Sequence, residues 1–303
     1  MNTSVHRSVM PDEVVAALAS LNPNVIVDGT FGGGGHSRLL LDLLPPKHDT
    51  ACIIGMDRDP EVFRRNEHSP PDPRIHVFLG SYEAAPRALE QLGFSNADAL
   101  VLDLGLSSDQ LASDRGFSFN NAGDLDLRFD PETGIPAWQW LQRHDEKAIA
   151  DAIYQFGEER FSRRIAAEVI RRARAGNAVR SVADMVDICR RCVPRSKNHD
   201  IHPATRTFQA LRIAVNEELE ILRRSLMSAP EWIRPGGRVV AISFHSLEDR
   251  IVKQAFRDDP RYQMITKKPL RPTPAEVRTN PRSRSAKLRI AEVIGSAAGR
   301  VRG

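Results

Sequence analysis

Short apolar runs rich in β-branched residues alternate with helical patterns through the first third of the chain. The runs cover 25–27, 52–56, 75–79 and 99–102, and helical patterns follow the first three of them at 37–44, 60–66 and 83–92. This alternation is typical of a parallel sheet whose strands are joined by crossover helices. We therefore predict an α/β protein with a doubly wound sheet.

The alternation stops after the fourth run. Residues 110–212 contain no comparable strand, and their helical patterns at 145–156, 162–175 and 182–192 carry many arginines. Strand patterns return at 239–244, 262–266 and 288–294. Because neither half of such a sheet would bury both of its faces alone, we predict one sheet interrupted by an all-helical insert. The predicted parts are 1–109 for the first part of the core, 110–212 for the insert and 213–303 for the second part.

Composition excludes several other classes of protein. The 303 residues are 41% hydrophobic and 27% charged, as in an ordinary globular protein. No apolar run approaches the roughly 20 residues of a membrane span, and the N-terminus lacks the apolar segment of a signal peptide. Three cysteines, two of them in a single Cys189-x-x-Cys192 pair, are too few for a disulfide framework or a zinc site. We expect a cytoplasmic protein without a bound metal.

A glycine-rich loop follows the first predicted strand at 28–37. Glycines allow a backbone to approach a ligand closely, but the loop lacks the third glycine of a dinucleotide fingerprint and the lysine of a P-loop. The second strand ends at Asp57, where a carboxylate can bind both hydroxyls of a ribose. The two features together predict binding of a nucleoside cofactor without a bridging pyrophosphate.

Two further strand ends carry candidate binding groups. Tyr82 follows the third strand and offers a ring on which adenine can stack, with partly buried packing as an equal alternative. Asp103 ends the fourth strand, near the place where ligands bind open sheets. We expect Asp103 to face the reactive end of the cofactor; the alternative is a buried carboxylate that caps the following loop.

Positive charge is concentrated in the C-terminal segment. Residues 267–303 contain ten Lys and Arg against two Glu, in a chain whose net charge is +4. Such a segment is predicted to bind phosphates, with two arginines at the insert boundary, although a solvated charged face is the alternative. The candidate residues for binding a nucleic-acid backbone are Arg206, Arg212, Arg282, Arg284, Lys287 and Arg289.

Arginines also recur at helical spacing within the insert. Arg163, Arg164, Arg171 and Arg172 either face a nucleic acid or pair with the glutamates at positions 158, 159 and 168. The spacing alone is compatible with both arrangements.

Longer strings of residues carry a resemblance to a known family. They include DGTFGGGGHS at 28–37, LDLGLSS at 102–108, RGFSF at 115–119, FGEE at 156–159, HPATRTFQALR at 202–212, SFHSLEDR at 243–250 and NPRSRSAKLR at 280–289. Together they cover nearly the whole chain. In these strings the chain resembles the bacterial 16S rRNA (cytosine-N4)-methyltransferase family, RsmH or MraW.

The resemblance implies a class I, Rossmann-like methyltransferase sheet with an inserted helical domain for substrate recognition. It implies S-adenosyl-L-methionine as cofactor and N4-methylation of a cytidine in the decoding region, at the P site, of 16S rRNA in the small ribosomal subunit. The cofactor contacts that it implies are Gly34, Gly35, His36, Asp57, Tyr82, Asp103 and Gln110. Two departures are Tyr82, where relatives often have Phe, and GDLDLRF at 123–129, where the family usually has GPLDMRM; the second affects the conformation of that loop and not the reaction.

The chemistry of an exocyclic amine suggests which groups act on it. Its lone pair is delocalised into the ring, so an enzyme must orient the amine and accept its hydrogen bonds. Asp103 is the hypothesised acceptor, although Leu104 and Gly105 stand where many amino-methyltransferases have prolines. His245 is a second catalytic candidate that could contact the base or relay a proton, beside a stacking Phe244; a structural histidine is the alternative.

Two other functions remain open at this point. A methyltransferase of DNA or of a small molecule would use the same cofactor fold, but the basic segment and the family strings favour RNA. A noncatalytic ribosome-assembly factor would bind rRNA and keep the cofactor pocket only as structure. The intact glycine loop, with Asp57, Asp103 and Gln110, argues against that second alternative.

Overall fold

A seven-stranded sheet forms the centre of the larger part of the chain. The computed structural model describes residues 7–45, 51–67, 72–119, 123–194 and 202–295. Its strands are β1 (Val25–Asp28), β2 (Cys52–Asp57), β3 (Ile75–Leu79), β4 (Ala97–Asp103), β5 (Ile233–Ser243), β6 (Tyr262–Met264) and β7 (Lys287–Val293), in the order β3-β2-β1-β4-β5-β7-β6. Strands β1 to β5 are parallel, whereas β7 runs antiparallel to both β5 and β6. The predicted α/β class is confirmed.

Helices connect and cover these strands. Before the insert they are α1 (Pro11–Leu18), α2 (Gly35–Leu40), α3 (Pro60–Glu67) and α4 (Ala85–Gln91), and after it α11 (Glu218–Trp232), α12 (Ser246–Asp258) and α13 (Pro274–Thr279). One apolar core joins side chains of α1 and α2 to the strand residues Ile26, Ile53, Val101 and Ile242. All four residues of β1 are buried, as expected for a strand in the middle of a parallel sheet.

The insert is a separate compact unit. It comprises residues 108–218, while 1–107 and 219–303 form the other unit. Its helices are α5 (Ser108–Ala112), α6 (Ala137–Arg143), α7 (Glu146–Gly157), α8 (Ser162–Arg174), α9 (Val182–Cys192) and α10 (Thr205–Asn216). The unit extends beyond the predicted boundary at 212 because α10 continues through that position to Asn216.

Packing inside the insert depends on close helix approaches. Helix α7 packs against α8 and α10, and α8 packs against α9. A Cβ atom at Gly157 would overlap the carbonyl oxygen of Arg206, so glycine allows α7 and α10 to approach closely there. Cys189 and Cys192 are buried on α9, and burial raises the pKa of the Cys189 thiol to about 12.

Two features are absent from the described part of the chain. Within the ranges given above, no helix is both long and apolar enough to cross a membrane. Those same residues contain no group of three or more His, Cys, Asp or Glu side chains placed to hold a metal ion.

Candidate active site

The carboxyl ends of three neighbouring strands bring three aspartates to one edge of the sheet. Asp28, Asp57 and Asp103 are the last residues of β1, β2 and β4. Asp28 pairs with Gly55 on one side and with Val101 on the other. Parallel pairing thus explains why acids far apart in sequence lie together where open sheets bind ligands.

The glycine-rich loop after β1 is anchored by a buried aromatic ring. Phe31 is buried, and a Cβ atom at Gly34 would lie 2.8 Å from the Cζ atom of Phe31. A Cβ at Gly55 on β2 would also overlap this ring. Gly32 and Gly34 have positive φ angles of 52° and 69°, which glycine adopts without strain. The glycines therefore allow the loop to lie close against the sheet.

The segment before α1 lies against the start of α2. The imidazole Nε2 of His36 is 2.9 Å from the carbonyl oxygen of Val9, and both residues are buried. A side chain at Gly35 would overlap the hydroxyl of Ser8. These contacts give Gly35 and His36 structural roles within the loop that was predicted to bind the cofactor.

Asp57 is held in place by backbone amides. Its Oδ2 accepts a hydrogen bond from the N–H of Gly32 at 2.7 Å, and its Oδ1 accepts one from the N–H of Asp59 at 2.9 Å. Burial is the main reason that the pKa of Asp57 rises to about 6, although the two amides oppose the shift. Each carboxylate oxygen keeps a second lone pair for an external donor such as a ribose hydroxyl.

Asp103 combines burial with an unused acceptor atom. Its backbone N–H donates to Thr30 Oγ1 at 2.6 Å, and its Oδ2 lies 3.8 Å from His36 Nδ1. Oδ1 is buried and accepts no hydrogen bond from the described residues. Burial, with the charges of Asp28 and Glu248, raises the pKa of Asp103 to about 6, and His36 opposes this rise. A buried acceptor without a donor is costly, which is expected where a ligand supplies the missing donor.

Two other predicted cofactor residues lie in different surroundings. Tyr82 begins a 3₁₀ turn after β3 and is 9% exposed. It packs closely on the loop after β1, since a Cβ at Gly29 would lie 2.8 Å from the Tyr82 Cβ. Gln110 is buried on α5 of the insert unit. Their contacts with the cofactor stay predictions.

His245 caps a helix. Its Nδ1 accepts a hydrogen bond from the backbone N–H of Glu248 at 3.4 Å, while Glu248 Oε2 accepts from the N–H of Phe244 at 2.8 Å. Nε2 lies 3.0 Å from Glu248 Oε1 but is not aligned for a hydrogen bond. Nδ1 of His245 thus has a structural role in the capping box, whereas Nε2 has no hydrogen-bond partner among the described residues. The proposed contact of His245 with the base or the proton stays a prediction.

Phe244 covers the loop that follows Asp103. A Cβ atom at Gly105 would lie 2.8 Å from Cε2 of the Phe244 ring, and Phe244 packs against the apolar core. Because such a distance is too short, Gly105→Ala should displace the ring and lower the free energy of unfolding by about 1–3 kcal/mol. Urea unfolding measures this loss.

The matched control for Gly105→Ala replaces the aromatic ring of Phe244. In a Phe244→Leu background, Gly105→Ala should lower the free energy of unfolding by less than about 0.5 kcal/mol. The reason is that the aromatic ring which the new methyl group would meet is absent. An equal loss of stability in both backgrounds would show that the Phe244 ring does not restrict position 105.

The predicted RNA-binding residues fall into two groups. Arg206, Arg282 and Arg284 are exposed. The remaining three make ion pairs with carboxylates: Arg212 Nε lies 2.8 Å from Glu218, and Arg289 Nε and Lys287 Nζ lie 2.7 Å and 3.1 Å from Asp249. Arg289 is only 5% exposed, so β7 uses its cations mainly inside the fold.

Several residues that build the site are absent from the sequence-based prediction. Thr30 binds the backbone of Asp103, and Ser37 donates a hydrogen bond to Asp28 Oδ2 at 2.6 Å. Glu248, which is buried, closes the capping box with His245. Only the last pair has a sequence signal, the three-residue spacing of a capping box.

The sheet order, the glycine loop and the acid after β2 define a class I S-adenosylmethionine-dependent methyltransferase. The sequence profile described as the MraW methylase family matches residues 3–294. The chain belongs to this family.

Two relatives similar in sequence agree with this assignment. The ribosomal RNA small subunit methyltransferase H of Rhodopirellula baltica is 64% identical over 297 residues, which cover 95% of this chain and 91% of that protein. The protein of the same description from Synechococcus elongatus is 44% identical over 296 residues, covering 95% of each chain. Among solved structures, an rRNA methylase from Streptococcus thermophilus aligns over 93% of this chain and 95% of that one, with a TM-score of 0.42 and 10% identity.

The residues at the sheet edge fit S-adenosylmethionine. Asp57, fixed by the Gly32 and Asp59 amides, can accept both ribose hydroxyls. The unused Oδ1 of Asp103 suits an N–H donor, either the ammonium group of the cofactor or a substrate amine. S-adenosylmethionine supplies an electrophilic methyl group on a sulfonium sulfur.

Proposed function

We propose that the protein methylates the N4 amine of a cytidine in the decoding region, at the P site, of 16S rRNA within the small ribosomal subunit in the cytoplasm. The observation that carries the amine chemistry is the buried Oδ1 of Asp103, an acceptor without a donor among the described residues. The names of the relatives support small-subunit rRNA as the substrate. The choice of cytosine N4 and of the P site follows the family resemblance in the sequence.

Asp103 would act as a positioned acceptor. A hydrogen bond from the cytosine amine to Oδ1 orients the amine and draws electron density back onto its nitrogen. When the new N–C bond forms, the amine must lose one proton. Asp103, with a pKa of about 6, is ionised at neutral pH and can accept that proton before passing it to water.

Methyl transfer should depend on the ionised forms of both aspartates. The pKa of Asp57 and that of Asp103 are each raised to about 6 by burial. We expect the logarithm of kcat/KM for the cofactor to fall below this pH with a limiting slope approaching about 2. In Asp103→Asn the slope should approach about 1, measured with methyl-labelled cofactor between pH 5 and pH 8. A slope that is the same in both proteins would contradict a role for the Asp103 charge.

Acid unfolding driven by Asp57 and Asp103 does not explain the expected loss of activity at low pH. A carboxyl whose pKa is raised on folding stabilises the folded state below its ordinary pKa, and this contribution is lost as the pH rises through the raised value. Protonation of Asp57 and Asp103 near pH 6 therefore favours the fold while it removes the acceptors. Thermal unfolding over the same pH range separates the two effects.

The exposed arginines of the C-terminal segment would bind the RNA backbone. Arg282 and Arg284 are exposed on the 3₁₀ turn before β7, and Ser283 between them is buried. With Arg206 of the insert, they can neutralise phosphates, which gives affinity but little base specificity. We further propose the helical insert as the part that recognises the substrate.

One experiment tests the proposed function as a whole. The purified protein is incubated with methyl-labelled S-adenosylmethionine and small ribosomal subunits from cells that lack the modification. The RNA is then digested and the labelled nucleoside identified by mass spectrometry, with large subunits, protein-free rRNA and DNA as parallel substrates. Label in N4-methylcytidine from small-subunit rRNA is expected; label in DNA, or subunit binding without label, would overturn the proposal.

A further inference from the structure

The arginines of helices α8 and α9 fall into two groups, of which the first is neutralised. Arg171 and Arg172 both bind Glu168, with Nε atoms at 2.7 Å and 3.2 Å from its carboxylate. Asp187 on α9 binds Arg172 and also Arg191. These pairs neutralise Arg171, Arg172 and Arg191, whereas Arg174 in the last turn of α8 is exposed.

The other arginines collect at the opposite end of the same helices. We define the arginine end of the insert as Arg160, Arg163, Arg164, Arg190 and Arg206, all of them exposed. Among the described residues, no carboxylate lies within ion-pair distance of any of these five. Arg160 stacks on the neighbouring Phe161 ring, 4.9 Å from its centroid, and Arg206 reaches only the carbonyl oxygen of Glu158 at 3.5 Å.

Contacts between the helices place these five residues at one end of the unit. Cys192, the last residue of α9, donates from Sγ to the carbonyl oxygen of Arg164 at 3.6 Å, which sets the end of α9 beside the start of α8. Gln209 Nε2 donates to the Phe156 carbonyl at 2.9 Å, so the start of α10 lies beside the end of α7. A short link connects the end of α7 to the start of α8, so these two contacts lie at the same end of the insert.

The charges at this end are unfavourable for the protein alone. Arg163 and Arg164 lie in the first turn of α8, which contains no acidic residue, and its N-cap Phe161 makes no side-chain capping bond. Cations near a helix N-terminus oppose the helix dipole. The nearby Glu159 does not offset them from the surface, because it is buried and accepts the N–H of Phe161. An external polyanion that binds at this end would offset the unfavourable charge.

We infer that the arginine end of the insert is a docking surface for the phosphate backbone of RNA. This inference rests on the proposed function for the nature of the polyanion. Guanidinium groups bind phosphate oxygens in bidentate fashion, and several on one surface can follow successive phosphates. The surface joins Arg160 and Arg190 to the sequence candidates Arg163, Arg164 and Arg206. It excludes Arg171 and Arg172, which bind Glu168.

The test compares two variants with the same change in charge. Arg163→Gln/Arg164→Gln removes two cations from the arginine end, whereas Arg143→Gln/Arg174→Gln removes two exposed cations from the last turns of α6 and α8. Affinity for small ribosomal subunits is measured by filter binding as a function of salt. The first variant should lose about tenfold or more in affinity, and its salt slope should fall by about 1.5, since each lost phosphate contact removes about 0.7–0.9. The control should stay within about twofold of the parent protein.

Further readouts separate docking from folding and from catalysis. The Arg163→Lys/Arg164→Lys variant keeps the charges and should keep most of the salt slope, while kcat and cofactor affinity should be unchanged in all variants. Equal losses in test and control variants, or none in either, would overturn the inference. If the parent protein methylates small-subunit rRNA and the test variant binds as the control does, the docking surface fails and the proposed function stands. If the parent protein methylates no rRNA but the variants differ in binding as expected, the docking surface stands and the proposed function fails.

Discussion

Replacing Asp103 with alanine should lower the rate of methyl transfer by at least about 100-fold while S-adenosylmethionine still binds within about threefold of the parent protein. Asp103 Oδ1 is the buried acceptor for which no donor exists among the described residues. Without it the amine has no group to orient it or to accept its proton. Single-turnover transfer to small subunits gives the rate, and calorimetric titration gives the cofactor affinity.

Asp103→Asn provides the matched comparison. The amide keeps an acceptor oxygen but has no charge, so we expect a rate between those of the parent protein and of Asp103→Ala. A strong base is not required for this reaction, whereas a positioned acceptor is. If Asp103→Ala loses cofactor binding as completely as Asp57→Ala does, Asp103 holds the cofactor and has no separate catalytic role.

Asp103→Asn should stabilise the folded protein although it lowers the rate of methyl transfer. The pKa of Asp103 is raised from 3.8 to about 6, so the ionised carboxylate disfavours the folded state at neutral pH by the order of 1–3 kcal/mol. Asp103→Asn should therefore raise the thermal unfolding temperature at pH 8 and have less effect at pH 5. A purely structural carboxylate with satisfied hydrogen bonds would show a loss of stability at pH 8 instead.

The sequence predicts which edge of the sheet carries the site, because buried parallel strands have continuous apolar sequences. Each run ends where the chain leaves the core, so the apolar runs alone assign Asp57 and Asp103 to the ends of strands at one edge of the sheet. The order of the strands, with β7 between β5 and β6, could not be read from the runs themselves. The family resemblance supplied the methyltransferase sheet.

Contacts between distant segments were beyond the reach of sequence patterns. Thr30 Oγ1 binds the backbone of Asp103, and Val9 binds His36, through loops whose approach depends on the whole sheet. The pairing of Arg172 with Asp187 likewise requires α8 to pack on α9. Helical spacing offered Glu168 as a partner of Arg171 and Arg172 on α8 itself. It could not show the second partner of Arg172, because Asp187 lies on another helix.

The helix cap formed by His245 shows a second limit of prediction from sequence. A strand followed by histidine suggested a group facing the substrate, yet the ring accepts the Glu248 N–H in a capping box. Ser, Thr, Asp and Asn are the usual residues at this position, so histidine is not read as a cap. The three-residue spacing to Glu248 was the available sequence signal.

Replacing Asp57 with alanine should weaken S-adenosylmethionine binding by about 100-fold or more. Two charge-assisted hydrogen bonds to ribose hydroxyls are lost, each contributing about 1.5 kcal/mol or more, and every 1.4 kcal/mol is about tenfold in affinity. The Gly32 N–H also loses its acceptor at 2.7 Å, which loosens the loop beside the cofactor. In methyl transfer the change should appear mainly in KM for the cofactor, so that high cofactor concentration restores kcat in Asp57→Ala but not in Asp103→Ala.

Asp59→Asn is the matched control, because it removes a carboxylate two residues away. Asp59 is buried and accepts the N–H of Glu61 at 3.1 Å, a bond that asparagine can also accept. Its binding constant should stay within about twofold of the parent value. A cofactor analogue without ribose hydroxyls should bind the parent protein and Asp57→Ala with nearly equal affinity, since the donors that Asp57 needs are absent. If Asp57→Ala weakens the analogue as much as the natural cofactor, Asp57 supports the loop and does not bind the ribose.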